Sequence, residues 1–248
     1  MKKPDTNNRL EFFNHTSTTF EVPKNTNLTI IDVFSEEANV KREIIVHENA
    51  TLNYIKIGKS KENVNVEYTN KIKKDGTLTM SLFEYGNSVN TVTTKLTHEN
   101  TNFNINGLID LDKDSKVNYE IKTNHQTKSL SDIKFKNLLD EKSSAKLNMF
   151  SIVEETASFS KAFQNSKTIL LSDDSFIAVT PHLEISIDEL EASHGATSGD
   201  LDKDSIYYLE SRGINEKNAK IMLLNAIRNE VYANLENEEL SEYIKGLL

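Results

Sequence analysis

The chain has 248 residues, no cysteine, and 38 acidic side chains against 29 basic ones, for a formal net charge of −9. The missing thiols exclude a disulfide framework, a cysteine-ligated zinc site and a cysteine nucleophile. The acidic balance argues against a general nucleic-acid binder, which needs Lys and Arg to displace counterions from phosphates. The densest basic cluster, Lys71 to Lys74, is broken by Ile72. Hydrophobic content of 37% is low for a globular chain but above disordered composition. The length corresponds to one or two domains of roughly 150 residues each. The start, Met1 to Asn8, has no apolar stretch, so no signal peptide is read there, and no run is long enough to span a bilayer. The expectation is a soluble, cytoplasmic protein.

From about residue 10 to residue 188 the chain reads as strand after strand. Leu78 to Leu82, Phe103 to Asn106, Val117 to Ile121, Leu147 to Met149 and Ile185 to Asp188 alternate apolar and polar residues. That period of two turns one face of each strand into a core. Strand centres recur roughly every 10 to 14 residues, the rhythm of a sandwich, a barrel or a β-solenoid. Only two Asn-Gly or Asp-Gly pairs occur, Asp75-Gly76 and Asn106-Gly107, and the second interrupts an alternating run. Most turns must therefore rest on Asn and Asp in the left-handed conformation. That suits the corners of a parallel β-helix, although no strict repeat is visible and pattern alone leaves a jelly roll open.

From Asp202 the period becomes helical. Ile206, Tyr207, Tyr208 and Leu209 lie on a short helix closed by Gly213. Asn215 is placed as the N-cap of a second helix carrying Ile221, Leu224, Ile227, Val231 and Leu235 as an apolar stripe. A third helix, about Glu238 to Leu248, carries Tyr243, Ile244, Leu247 and Leu248. Three short helices cannot bury this surface among themselves, so they pack on the β part or receive a partner. The division read from the sequence is a β core over 1–200 and a helical region over 201–248.

Six histidines, none in HExxH spacing, give no zincin site. His194 stands apart because Ser193-His194-Gly195-Ala196-Thr197 falls at the join of the two parts, read as a loop on a rigid scaffold. The structural alternative is a histidine that caps the last coil of the β part. Asp110 to Ser115 and Asp200 to Ser205 share Leu-Asp-Lys-Asp-Ser. Both lack the Gly at position six and the Glu at position twelve of a calcium loop. The first reads as a turn, the second as a helix start.

The segment from Ser172 to Leu224 resembles the SufB/SufD family of iron–sulfur cluster assembly proteins. Ile169-Leu170-Leu171-Ser172, preceded by Gln164-Asn165, is similar to the family's Leu-rich strand ending in Ser. Pro181 to Ile185, Asp188 to Thr197, Leu201-Asp202, Tyr207-Tyr208-Leu209, Ser211 to Ile214 and Ala219 continue the likeness, and His125, Ser131-Asp132 and Lys136 to Leu139 resemble a weaker upstream block. The resemblance implies a right-handed parallel β-helix followed by C-terminal helices, which makes the chain mainly β. It implies a non-catalytic SufD-type subunit of a SufBCD complex, pairing with a SufB-type subunit through the β-helices. It further implies that the helical end docks a SufC-type ATPase, here through Tyr207, Tyr208, Leu209, Arg212, Ile214 and Leu224. The histidine that takes part in cluster assembly at the subunit interface matches His194.

Two departures matter. Many SufD members carry Cys two residues before this His, where Ala192 stands here. Many also carry a helical N-terminal region that residues 1 to 20 are too short to hold. With no thiolate of its own the chain holds no cluster alone, and iron or nascent cluster is expected only with a SufB-type partner. The alternatives are a homodimeric relative that only scaffolds the ATPase, and a β-helix enzyme acting on polysaccharide. Neither nucleic acid nor membrane is an expected partner.

Overall fold

The computed structural model describes residues 8–248. The leader-free start read from Met1 to Asn8 lies, Asn8 apart, outside the described residues. Among these residues fifteen strands precede three helices. The first strands are β1 (Arg9–Phe13), β2 (Thr18–Val22), β3 (Asn27–Phe34), β4 (Ala38–Val46) and β5 (Thr51–Gly58). They are followed by β6 (Val64–Ile72), β7 (Thr77–Glu84), β8 (Ser88–Leu96), β9 (Thr101–Leu111) and β10 (Lys116–His125). The last five are β11 (Ser129–Leu139), β12 (Ser144–Val153), β13 (Lys161–Leu170), β14 (Phe176–Ile185) and β15 (Glu191–Gly199). The helices are α1 (Lys203–Ser211), α2 (Glu216–Tyr232) and α3 (Glu238–Gly246).

The odd-numbered strands form one eight-stranded sheet and the even-numbered ones a seven-stranded sheet, with parallel pairing throughout. Consecutive strands therefore lie in opposite walls, and each pair completes one turn of a parallel β-solenoid. This excludes the jelly roll. Successive turns lengthen from 20 residues (Arg9 to Thr29) to 31 (Asp132 to Phe163), which is why no fixed period is visible in the sequence.

The corners carry the regularity that the period hides. Asn25, Asn49, Asp75 and Asn100 sit at φ of 56°, 54°, 58° and 56°. The amides of Asn25, Asn49 and Asp75 donate to the carbonyls of Glu48, Lys74 and Glu99 in the next turn. Asp75-Gly76 is thus a corner. Asn106-Gly107 is not a turn: Gly107 lies in β9, in register with Phe135, and a Cβ there would collide with the Phe135 ring.

Alternate residues of both walls fill the lumen, among them Ile30, Leu52, Leu78, Phe103, Val117 and Leu147. A second core lies outside the odd wall. Ile31, Val33, Ile55, Ile57, Phe83, Leu108, Leu138 and Ile169 project from it against Val231, Tyr232, Leu235, Leu240 and Ile244 of the helical segment. The doublets Ile30-Ile31, Leu82-Phe83 and Leu138-Leu139 are buried on both faces for this reason. The helices therefore pack on the β part, and they run back along it. Glu230 pairs with Lys136 at 2.7 Å, Arg228 with Asp110 at 2.7 Å, and Tyr232 stacks on Phe83 at 5.2 Å. Nearer the first turn, Glu236 accepts from Thr29 at 3.0 Å and Tyr243 donates to Glu11 at 2.8 Å.

Asn215 caps α2 and Gly213 at φ 86° ends the α1 turn, as the sequence indicated, and the helix start read at Asp200 to Ser205 has Asp202 as its cap. Asp112 to Ser115 is a turn. Two readings need correction. Ile185 ends β14, and Ser186 to Leu190 is a loop in which the amide of Leu190 bonds Asp188, so the alternation there is not a strand. The Ser-His-Gly-Ala-Thr segment is not a loop but the body of β15, held by its ladder to β13 despite weak strand propensity. Among the described residues, no helix is long and apolar enough to cross a membrane.

Candidate functional site

The last turn of the solenoid, β14 and β15, has each strand paired on one side only: β14 to β12, and β15 to β13. Its outer edges carry free backbone groups, the condition under which a sheet accepts another strand. Exposed apolar side chains gather at the same end: Phe159 on the β12–β13 turn, Phe176, and Ile185. Phe159 holds φ at 62°, an unusual conformation for an aromatic residue, with its amide donating to the Glu189 carbonyl at 2.6 Å.

His194 lies in the middle of β15 and is exposed. It is in register with Gln164 of β13, which is in register with Ile133 of β11. Ile133 and Gln164 are both buried in the lumen. Residues paired across parallel strands project to the same side, so His194 continues a lumenal column. It is exposed because no further turn stacks on it. Ala192 and Ala196 flank it in the same wall. A depression at these rungs is lined by Asp132, Lys134, Gln164, Asn165, His194 and Gly195.

The residues predicted to dock a partner separate into two sets. Tyr207 and Tyr208 are 74% and 56% exposed, and Arg212 lies over the Tyr208 ring at 5.1 Å. Leu209 and Ile214 are half-buried around the α1–α2 turn, and Leu224 turns inward to the second core. Ile221 leaves the stripe assigned to it and is exposed beside Met222. A cavity of about 990 Å³ opens beneath α1 between Leu171, Asp173, Asp200, Tyr207, Glu210 and Lys220. The exposure of Ile221 and Met222 was not legible, because a stripe at helical spacing does not say how far along the helix its partner extends.

Buried charges inside the lumen were not legible either. Arg42 donates to Asp32 at 2.7 Å, and Lys56 donates to Glu84 at 2.5 Å and to Asn90 at 2.7 Å, with both ion pairs fully buried. Tyr54 donates to Asp32 at 2.6 Å, and Tyr119 donates to Glu84. Burial pulls the Lys56 ammonium below its ordinary range, and the charge of Glu84 opposes it. Burial also pulls on Arg42, but Asp32 outweighs it and the guanidinium is raised. Further along, His125 is wholly buried, with Ser129 Oγ and Ser131 Oγ at 2.8 and 2.9 Å from its ring nitrogens. Desolvation lowers it to about 4.

The donor set is one imidazole and no thiol. Among the described residues no three His, Asp or Glu side chains converge as a metal site. An iron–sulfur cluster, ordinarily held by cysteine thiolates, does not fit this chain by itself.

The chain is similar in sequence to curated proteins of iron–sulfur cluster assembly. A SufBD family iron–sulfur cluster assembly protein of Synechocystis is 33% identical over 94 residues, 38% of this chain and 21% of that protein. The iron–sulfur cluster assembly protein SufD of Escherichia coli is 31% identical over 109 residues, 44% of this chain and 26% of that protein. SufD of Plasmodium falciparum is 33% identical over 111 residues, 44% of this chain and 8% of that protein. The matched stretch thus spans about a quarter or less of the length of these relatives. The family described as SUF system FeS cluster assembly, SufBD core domain, matches residues 5–227. With a parallel β-solenoid, its open last turn, α1 and most of α2 under that match, the chain belongs to the SufBD core family of the SUF iron–sulfur cluster assembly system.

Proposed function

We propose that this chain acts as a SufD-type, non-catalytic subunit of a SufBCD-type assembly, working in the cytoplasm. The observation that carries the reading is His194 in the middle of an unpaired edge strand, at the open end of the solenoid, among exposed apolar side chains. A second subunit that adds its strands to β14 or β15 would cover Phe176 and Ile185 and enclose His194. Neutral imidazole is a suitable ligand for iron. The thiolates must come from a SufB-type partner, because this chain has none. Iron or nascent cluster is then cargo at the interface. The exposed face of Tyr207, Tyr208, Ile221 and Met222 with Arg212 is the surface for a SufC-type ATPase, Leu209 and Ile214 shaping the turn behind it and Leu224 anchoring it to the solenoid.

The test is native co-purification with a SufC-type ATPase and a cysteine-bearing SufB-type subunit. Wild type should retain both. Ile221→Asp should lose the ATPase and keep the SufB-type subunit, and His194→Ala should keep both partners but fail to mature cluster. A chain that retains neither partner refutes the reading. A His194→Ala variant that matures cluster normally leaves the protein as a scaffold only, the role to which its lack of thiols also points.

A further inference from the structure

Gln164 is 2% exposed, and its amide is fixed at one end. Nε2 donates to Ser151 Oγ at 2.8 Å and to the His182 backbone carbonyl at 3.2 Å. A carbonyl only accepts, so the nitrogen must face it and the assignment of the amide is not interchangeable. These bonds reach from the odd wall across the lumen to β12 and β14, which locks the side chain. They leave Oε1 buried with no hydrogen-bond partner. An orphaned buried acceptor is uncommon and costly, on the order of 1–3 kcal/mol, and asks for a donor. The next rung of the same column, about 4.8 Å away along the sheet, is His194.

We propose that Gln164 is the positioning residue for His194: the exposed His194 side chain, not bonded to Gln164 in this structure, rotates so that the unpartnered Oε1 accepts one ring N–H of the imidazole, which fixes the tautomer and turns the lone pair of the other nitrogen outward to the open end. A ligating histidine ordinarily has its second nitrogen held in this way, and the holder sets both the ring's orientation and which nitrogen can bind. Gln164 is suited to the task because its donor end is tied to two acceptors on the opposite wall, so its acceptor end cannot swing away. The inference rests on the reading of His194 as the interface ligand.

The experiment reads the tautomer directly. Long-range proton–nitrogen correlation on the uniformly ¹⁵N-labelled full chain at pH 8, where an ordinary imidazole is neutral, reports the two ring nitrogens, with His194→Gln identifying the His194 signals. Wild type should show a tautomer ratio biased about tenfold, the factor that one hydrogen bond carries. Gln164→Leu, which removes the acceptor, should relax the ratio towards that of a free histidine. An unbiased His194 in the wild type overturns the proposal without recourse to any variant, as does a bias unchanged in a folded Gln164→Leu chain. The co-purification of His194→Ala described above is independent of these spectra. A fixed tautomer together with normal cluster maturation by His194→Ala would refute the ligand role and leave the positioning bond standing.

Discussion

Mild acid should destabilise this protein through His125. Its ring is buried between Ser129 and Ser131, whose hydroxyls satisfy a neutral imidazole but bring no charge to compensate a protonated one. Desolvation takes it from its ordinary 6.5 to about 4 in the fold. Between those two values the unfolded chain holds a proton that the folded chain does not, so stability is complete above pH 6.5 and falls as pH drops towards 4. The slope is about 1.4 kcal/mol per pH unit, which gives a loss of about 2 kcal/mol at pH 5 and about 3 kcal/mol once pH reaches 4. Urea unfolding of wild type and His125→Gln at pH 7.5 and pH 5.0 measures it. Glutamine keeps a donor and an acceptor for the two serines and does not titrate, while the carboxylates elsewhere act equally on both proteins and cancel. The wild type should lose about 2 kcal/mol more than the variant between the two pH values. Equal losses, within about 0.5 kcal/mol, would refute the assignment of a buried neutral imidazole.

Three further outcomes follow from the lumen and its corners. Lys56→Met strands Glu84 in the lumen and should cost about 3–5 kcal/mol, while adding Glu84→Leu should recover most of it, as a double-mutant cycle in urea would show. Gly107→Ala drives a methyl group into the Phe135 ring and should cost about 1–3 kcal/mol by thermal unfolding, with Phe135→Leu relieving the loss. Asn49→Val at φ 54° should cost about 1–2 kcal/mol, whereas Asn49→Gly should stay within about 0.5 kcal/mol of wild type, a contrast that chemical denaturation resolves.

Local chemistry made much of this protein legible in its sequence. Alternation along Leu78 to Leu82 or Val117 to Ile121 follows from the geometry of a strand, so those elements stand where the residues placed them. The cap Asn215 and the turn at Gly213 satisfy backbone groups within a few residues, and they too could be read in place. The zero cysteine count fixed, before any coordinates, that a cluster-handling role requires a partner with thiols. What depends on stacking could not be read this way. His194 belongs to a strand only because β13 offers it a ladder, and it faces the open end because no further turn stacks on β15. Ile31, Phe83 and Leu138 look like surplus apolar residues until α2 and α3 fold back over the outer wall. Nothing in their spacing sets Asp32, Arg42, Lys56 and Glu84 apart from other charges, and only closure of the solenoid brings them together in the lumen, where low dielectric makes their pairing obligatory. A sequence records which groups each residue owns; which of them are shut away from water together is settled when turns of unequal length stack in register.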